Sequence, residues 1–100
     1  MDKLEFAKKY KGKDIKSFAE IEEFIEDSFN LYEHYGFLEE FKTPYEELKD
    51  KVGLKFEVVK RATTDDFDLE CLPAWLVKFE NGETAHCFPE EITKLEELCL

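Results

Sequence analysis

Residues 73–92 read PAWLVKFENGETAHCFPEEI. Trp75, Val77 and Phe79 alternate with Leu76, Lys78 and Glu80, and alternation of period two marks a strand with one buried face. Asn81-Gly82 follows. Both residue types tolerate positive φ, which a two-residue type I′ hairpin requires. Such a loop sets Glu80 opposite Glu83. Phe79 then faces Thr84, Val77 faces His86 and Trp75 faces Phe88 on one side of the sheet, with Leu76 and Cys87 on the other. His86 and Cys87, being adjacent, point to opposite faces. Pro89 ends the return strand, because it cannot donate to a ladder.

Two earlier stretches share the strand pattern. Leu54, Phe56 and Val58 alternate with Lys55 and Glu57, and Phe67, Leu69 and Cys71 alternate with Asp68 and Glu70. The predicted sheet is therefore a four-stranded antiparallel meander. After it, Glu90 to Leu98 suits a short helix with Ile92, Leu95 and Leu98 inward, its early glutamates at the positive end of the dipole.

Before Gly53 the apolar residues recur at helical spacing instead. A first helix is expected over residues 2–10, with Leu4, Phe6 and Ala7 inward. Ser17-Phe18-Ala19-Glu20 is a capping box that opens the main helix. Phe18, Ile21, Ile25, Tyr32 and Tyr35 form its apolar stripe, widened by Phe24 and Phe29, and Gly36 is its expected stop. Phe37 to Phe41 suits one helical turn. Thr43-Pro44-Tyr45-Glu46 reads as a second capping box, with proline in the first helical position, opening a helix that ends before Gly53. The expected fold class is α+β: one domain, helical over 1–53 and β over 54–100 with a terminal helix.

Residues 73–92, with Leu54 to Arg61 as a first strand, resemble the closing segment of SH3-like small β-barrels. That family shows a strand bearing Trp or Tyr, an acidic or Asn-Gly hairpin, a return strand and a proline-led turn. The resemblance implies that the meander curls into a barrel. It covers about a third of the chain and implies no particular functional residue, since such barrels bind peptides, methylated lysine or nucleic acid, or simply pack.

Composition narrows the function. Hydrophobic residues make up 43% of the 100, including ten Phe, four Tyr and one Trp, and such aromatic richness argues for a folded core. The net charge of −11 repels phosphate backbones and anionic membranes and attracts basic partners. No apolar run has the length of a membrane span or follows the first basic residues as a signal peptide would. Cys71, Cys87 and Cys99 form no disulfide framework, so a reduced, cytoplasmic setting is expected.

Catalytic patterns are sparse. Cys71 or Cys87 with His86 would make a nucleophile and base, but the hairpin register turns Cys87 away from His86, and three semi-buried cysteines acting as small hydrophobes explain the sequence as well. Asp66, Asp68 and Glu70 mimic the first ligand positions of a calcium loop. Cys71 stands where its glycine belongs and Val77 where its final glutamate belongs. Trp75, Phe79, Tyr32, Tyr35 and Tyr45 could enclose a methylated lysine, or could serve as core. His34 suits a C-terminal cap of the main helix. No enzyme activity, metal or cofactor is expected.

Charge layout is the clearest lead. Residues 1–16 carry net +3, residues 17–50 net −9 and residues 65–100 net −8. Glu22, Glu26 and Glu33 line one stripe of the main helix, with Glu23 and Asp27 beside it, at steps of ~6 Å that approach phosphate spacing on a nucleic-acid strand. A solvated, solubilising face is the plain reading. The sharper one is a protein-binding surface that mimics nucleic acid, formed by Glu22, Glu23, Glu26, Asp27, Glu33, Asp65, Asp66 and Asp68. In size and charge the chain resembles small phage-encoded nuclease inhibitors, anti-CRISPR proteins among them. The alternative is an SH3-like peptide module with Trp75 at its cleft.

Overall fold

The computed structural model describes residues 2–95. Its elements in order are α1 (Lys3–Tyr10), α2 (Phe18–Tyr35), a 3-10 helix (Glu46–Lys51), β1 (Phe56–Arg61), a 3-10 turn (Leu69–Cys71), β2 (Trp75–Phe79), β3 (Thr84–Cys87) and α3 (Pro89–Ile92). The architecture is α+β. The sheet is open, three-stranded and antiparallel, in the order β1-β2-β3.

Local chemistry sets the helix ends. Asp2 caps α1 by accepting from the Glu5 amide at 2.8 Å. Ser17 Oγ accepts from the Glu20 amide at 3.1 Å, the serine half of the expected capping box; the Glu20 carboxylate takes the Ser17 hydroxyl, at 3.0 Å, in place of a backbone amide. Gly36 closes α2 with φ +91° and ψ 178°, a combination essentially reserved for glycine.

Helix α2 has three faces. Ile21, Ile25, Phe29 and Tyr32 join the main core, which holds Phe41, Trp75, Val77, Phe79, Cys87 and Ile92. Phe24 and Leu31 join a smaller cluster with Phe6 and Tyr10 of α1, completed by Ile15 and Leu95. The third face turns outward. Three large expected core residues stay out of both clusters: Leu4 is 63%, Phe18 61% and Tyr35 38% exposed. Each lies at or near an end of its helix, at the margin of the packed length.

Several expectations for the loops need correction. Phe37 to Phe41 is extended, bridging Thr93 through Phe37 and Lys55 through Glu40. The Thr43 box does not form. Thr43 Oγ1 accepts from the Tyr45 amide at 3.1 Å and donates to the buried Glu91 carboxylate at 2.5 Å. Glu91 also accepts from the Phe88 amide at 2.9 Å, so a distant acid draws the threonine away from the helix start. Residues 67–71 are no fourth strand: a turn at Thr63–Asp66 leads into the Leu69–Cys71 3-10 turn, and with three strands the described sheet stays open. The C-terminal helix is one turn, Pro89–Ile92. Leu98 and Cys99 lie outside the described residues.

The hairpin forms where expected, one residue out of the expected register. Trp75 pairs with Cys87, Leu76 with His86, Val77 with Ala85 and Lys78 with Thr84. The Phe79 amide donates to the Glu83 carbonyl at 2.8 Å and the Gly82 amide to the Phe79 carbonyl at 2.9 Å. The loop is thus three residues long, with Gly82 at φ +91° and Asn81 at negative φ, the arrangement of a turn followed by a glycine bulge. A slip of one residue exchanges the faces of the return strand. Cys87 therefore joins Trp75, Val77 and Phe79 in the core, and His86 stands on the outer face with Leu76.

Candidate functional site

The outward face of α2 carries the acidic stripe, and the fold supplies it with two cations. From α1, Lys9 Nζ reaches Glu23 at 2.5 Å and Asp27 at 2.7 Å. The Tyr10 hydroxyl also donates to Asp27. From β1, Arg61 donates through Nε to Glu33 at 2.9 Å and through its terminal nitrogens to Glu33 at 2.5 Å, Glu26 at 2.9 Å and Asn30 at 3.0 Å. Its guanidinium lies 4.8 Å from the centre of the Phe29 ring, within range of a cation–π contact.

A bulge aims that arginine. Val58 pairs with Val77, but Lys60 rather than Val59 pairs with Leu76, and Arg61 pairs with Trp75. The extra residue in β1 shifts the alternation by one position. Arg61 thereby gains the face of Trp75, toward α2, and Lys60 the outer face.

These contacts act on the carboxylates. Hydrogen bonds from Arg61 hold Glu33 below the usual carboxylate range against the opposing effect of burial, and the Trp75 indole, 3.0 Å away, assists. Burial alone would raise Asp27, but the bonds from Lys9 and Tyr10 outweigh it and lower it. Both acids are thus held as anions. Glu22 stays exposed, and the side chains of Glu23 and Glu26 keep 52% and 61% of their surface beside their cations. Four of the five carboxylates on this face, Glu23, Asp27, Glu26 and Glu33, meet the two cations.

The second acidic tract is the β1–β2 connection. Asp66 accepts from the Thr63 amide at 3.0 Å and lies 3.8 Å from His86 Nε2. The Thr63 amide holds its carboxyl below the usual range. Asp65 and Asp68 are exposed, and with Asp66, Phe67 and Cys71 they line a shallow hollow. Among the described residues no group of three or more His, Cys, Asp or Glu is placed to hold a metal ion.

Trp75 requires a correction. It is fully covered, with Phe29, Tyr32 and Phe37 set edge-on at ring-centre distances of 5.3, 6.1 and 5.5 Å. It is the middle of the core and offers a partner no surface. The five aromatic residues considered for a cage do not assemble. Phe79 is buried, the Tyr35 hydroxyl meets the Lys3 amide at 3.1 Å and the Tyr45 hydroxyl meets Glu90 at 2.9 Å. Cys87 is buried on the face opposite His86, and burial, with the Glu91 charge, pushes its thiol up to about 12. Cys71 is exposed and both thiols are free.

Sequence reading missed the residues that complete the acidic face: Lys9, Asn30 and Arg61. Arg61 lies 28 residues from Glu33 and 35 from Glu26, beyond any local spacing rule. Comparisons with protein-family models, curated proteins and solved structures gave no match. No described helix is long and apolar enough to cross a membrane.

Proposed function

We propose that this chain is a small acidic interaction domain that binds a basic protein surface in competition with nucleic acid, acting as an inhibitor rather than an enzyme. The outward face of α2 and the 63–68 loop form its contact surface, and its setting is cytoplasmic. The observation that carries the reading is the charge excess on the outward face of α2, where Lys9 and Arg61 pair with Glu23, Asp27, Glu26 and Glu33 and Glu22 adds a fifth, exposed carboxylate. An excess held on a rigid helix attracts cations without a conformational cost on its own side. Free thiols at Cys71 and Cys87 agree with a reducing compartment. A peptide cleft at Trp75 has no support from a ring that is wholly covered.

The test uses an immobilised basic nucleic-acid-binding protein and the triple variant E22Q/E23Q/E26Q. Asp27 and Glu33 remain in that variant to hold Lys9 and Arg61. Binding should weaken steeply as salt rises, fall roughly tenfold in the variant, and be displaced by nucleic acid. Binding indifferent to salt, or absent at low salt, would overturn the reading.

A further inference from the structure

The β1–β2 connection does not hang free; it folds over the outer face of the sheet. Phe67 lies edge-on to His86 at 5.1 Å between ring centres and 5.8 Å from Phe88. Asp66 stands 3.8 Å from His86 Nε2, with side chains 26% and 33% exposed. Within the loop, the Asp66 and Phe67 amides donate to the Thr63 carbonyl at 2.9 and 3.1 Å, and Asp66 accepts from Thr63; Lys60 of β1 also attracts the Asp66 charge. His86 is thus a polar contact between sheet and loop, set beside one aromatic wedge.

We propose that His86 is a proton-operated latch for the acidic 63–68 loop. When protonated, it pairs with Asp66 and draws the loop onto the sheet. When neutral, it leaves Phe67, the Thr63 turn and the attraction of Lys60 for Asp66 to hold the loop. Histidine is the side chain that ordinarily changes charge between pH 5 and 8.

The groups around it give the sign. Asp66, with Asp65 and Asp68 on the same loop, favours a cation at His86. Lys60 of β1 lies on the same outer face, in the cross-strand row Lys60–Leu76–His86, and Lys78 of β2 lies beside that row opposite Glu57 of β1; the two lysines oppose a cation there and Glu57 offsets Lys78. Asp66, 3.8 Å from Nε2, is the charge that the ring meets directly. The inference rests on the proposed function in one respect: the latch regulates half of that contact surface. Protonation removes one unit of negative charge from the tract and engages Asp66, so a basic partner is released as pH falls.

Amide hydrogen exchange of the free protein tests the latch. The Asp66 and Phe67 amides of wild type should gain about two- to fivefold in protection, after correction for intrinsic rates, between pH 7.5 and 5.5. The gain should vanish in H86Q and in D66N, while β2–β3 amides stay unchanged. No gain in wild type, or an equal gain in both variants, overturns the latch. Binding of decalysine at the two pH values separates this from the function. Weaker binding at pH 5.5 in wild type alone supports regulation, and equal binding with an intact protection change overturns it. Failure to bind at either pH, with the protection change present, overturns the acidic-surface reading and leaves the latch standing.

Discussion

The two flanks of α2 solve one problem by different means. Each must cover an apolar stripe and neutralise part of an acidic ridge. On the sheet flank the cover is Trp75 with its three aromatic neighbours, and the cation is Arg61, forked over Glu26, Asn30 and Glu33 and lying on Phe29. On the α1 flank the cover is Phe6 and Tyr10, and the cation is Lys9, reaching Glu23 and Asp27 from a single nitrogen. A guanidinium has a planar fork that fixes geometry, whereas an ammonium is a mobile point charge. The sheet flank should therefore be the rigid one, and the α1 flank, resting on an eight-residue helix, the one that opens first.

Truncation of the two aromatic anchors gives the largest expected effects. Trp75→Ala should cost about 3–5 kcal/mol by urea unfolding, since it empties the middle of the core and strips Glu33 of a donor. Phe6→Ala should cost less, roughly 2–3 kcal/mol, because detachment of α1 caps the loss. Equal costs would show that the two flanks form one cooperative unit.

The cations come next. Arg61→Met should destabilise by about 1–2 kcal/mol, as charged hydrogen bonds at a partly exposed site allow. Lys9→Met should lower the urea midpoint by less than Arg61→Met, and the difference should shrink in high salt. A larger effect at Lys9 would reverse the ranking of the flanks.

Acid titration should show the smallest differences. Glu33 and Asp27 are both depressed in the folded state. Their contribution is present above the ordinary carboxylate range near pH 4 and is lost as pH falls through their own lower values. Urea midpoints measured from pH 7 to pH 2 should fall in that acid window. In Arg61→Met the fall should be shallower, because Glu33 has lost the bonds that lowered it. An unchanged acid slope would detach Glu33 from Arg61.

Legibility followed the range of the interaction. Helix α2 could be read because its signals are local: the Ser17 hydroxyl accepts from the Glu20 amide, the apolar residues recur at helical spacing, and Gly36 takes a backbone angle that other residues avoid. The acidic stripe could be read for the same reason. The hairpin was half legible. Asn81-Gly82 announces a turn, but a loop of two residues and one of three both place glycine at positive φ. Burial makes the choice between them by putting Cys87 beside Trp75 on the core face, and burial depends on the whole core. Thr43 shows the reverse case, a sound local capping pattern overruled by Glu91, 48 residues away.

By itself, then, the sequence determined the two-part α+β order, the limits of the long helix, the turn at Asn81-Gly82 and the regional charge. These depend on neighbouring residues and on composition. The tertiary structure alone decided the hairpin register, the bulge that aims Arg61 at α2, the burial of Trp75, and which carboxylates meet Lys9 and Arg61. Each of those rests on residues brought together from distant parts of the chain, whose packing selects one arrangement where the local chemistry permits several.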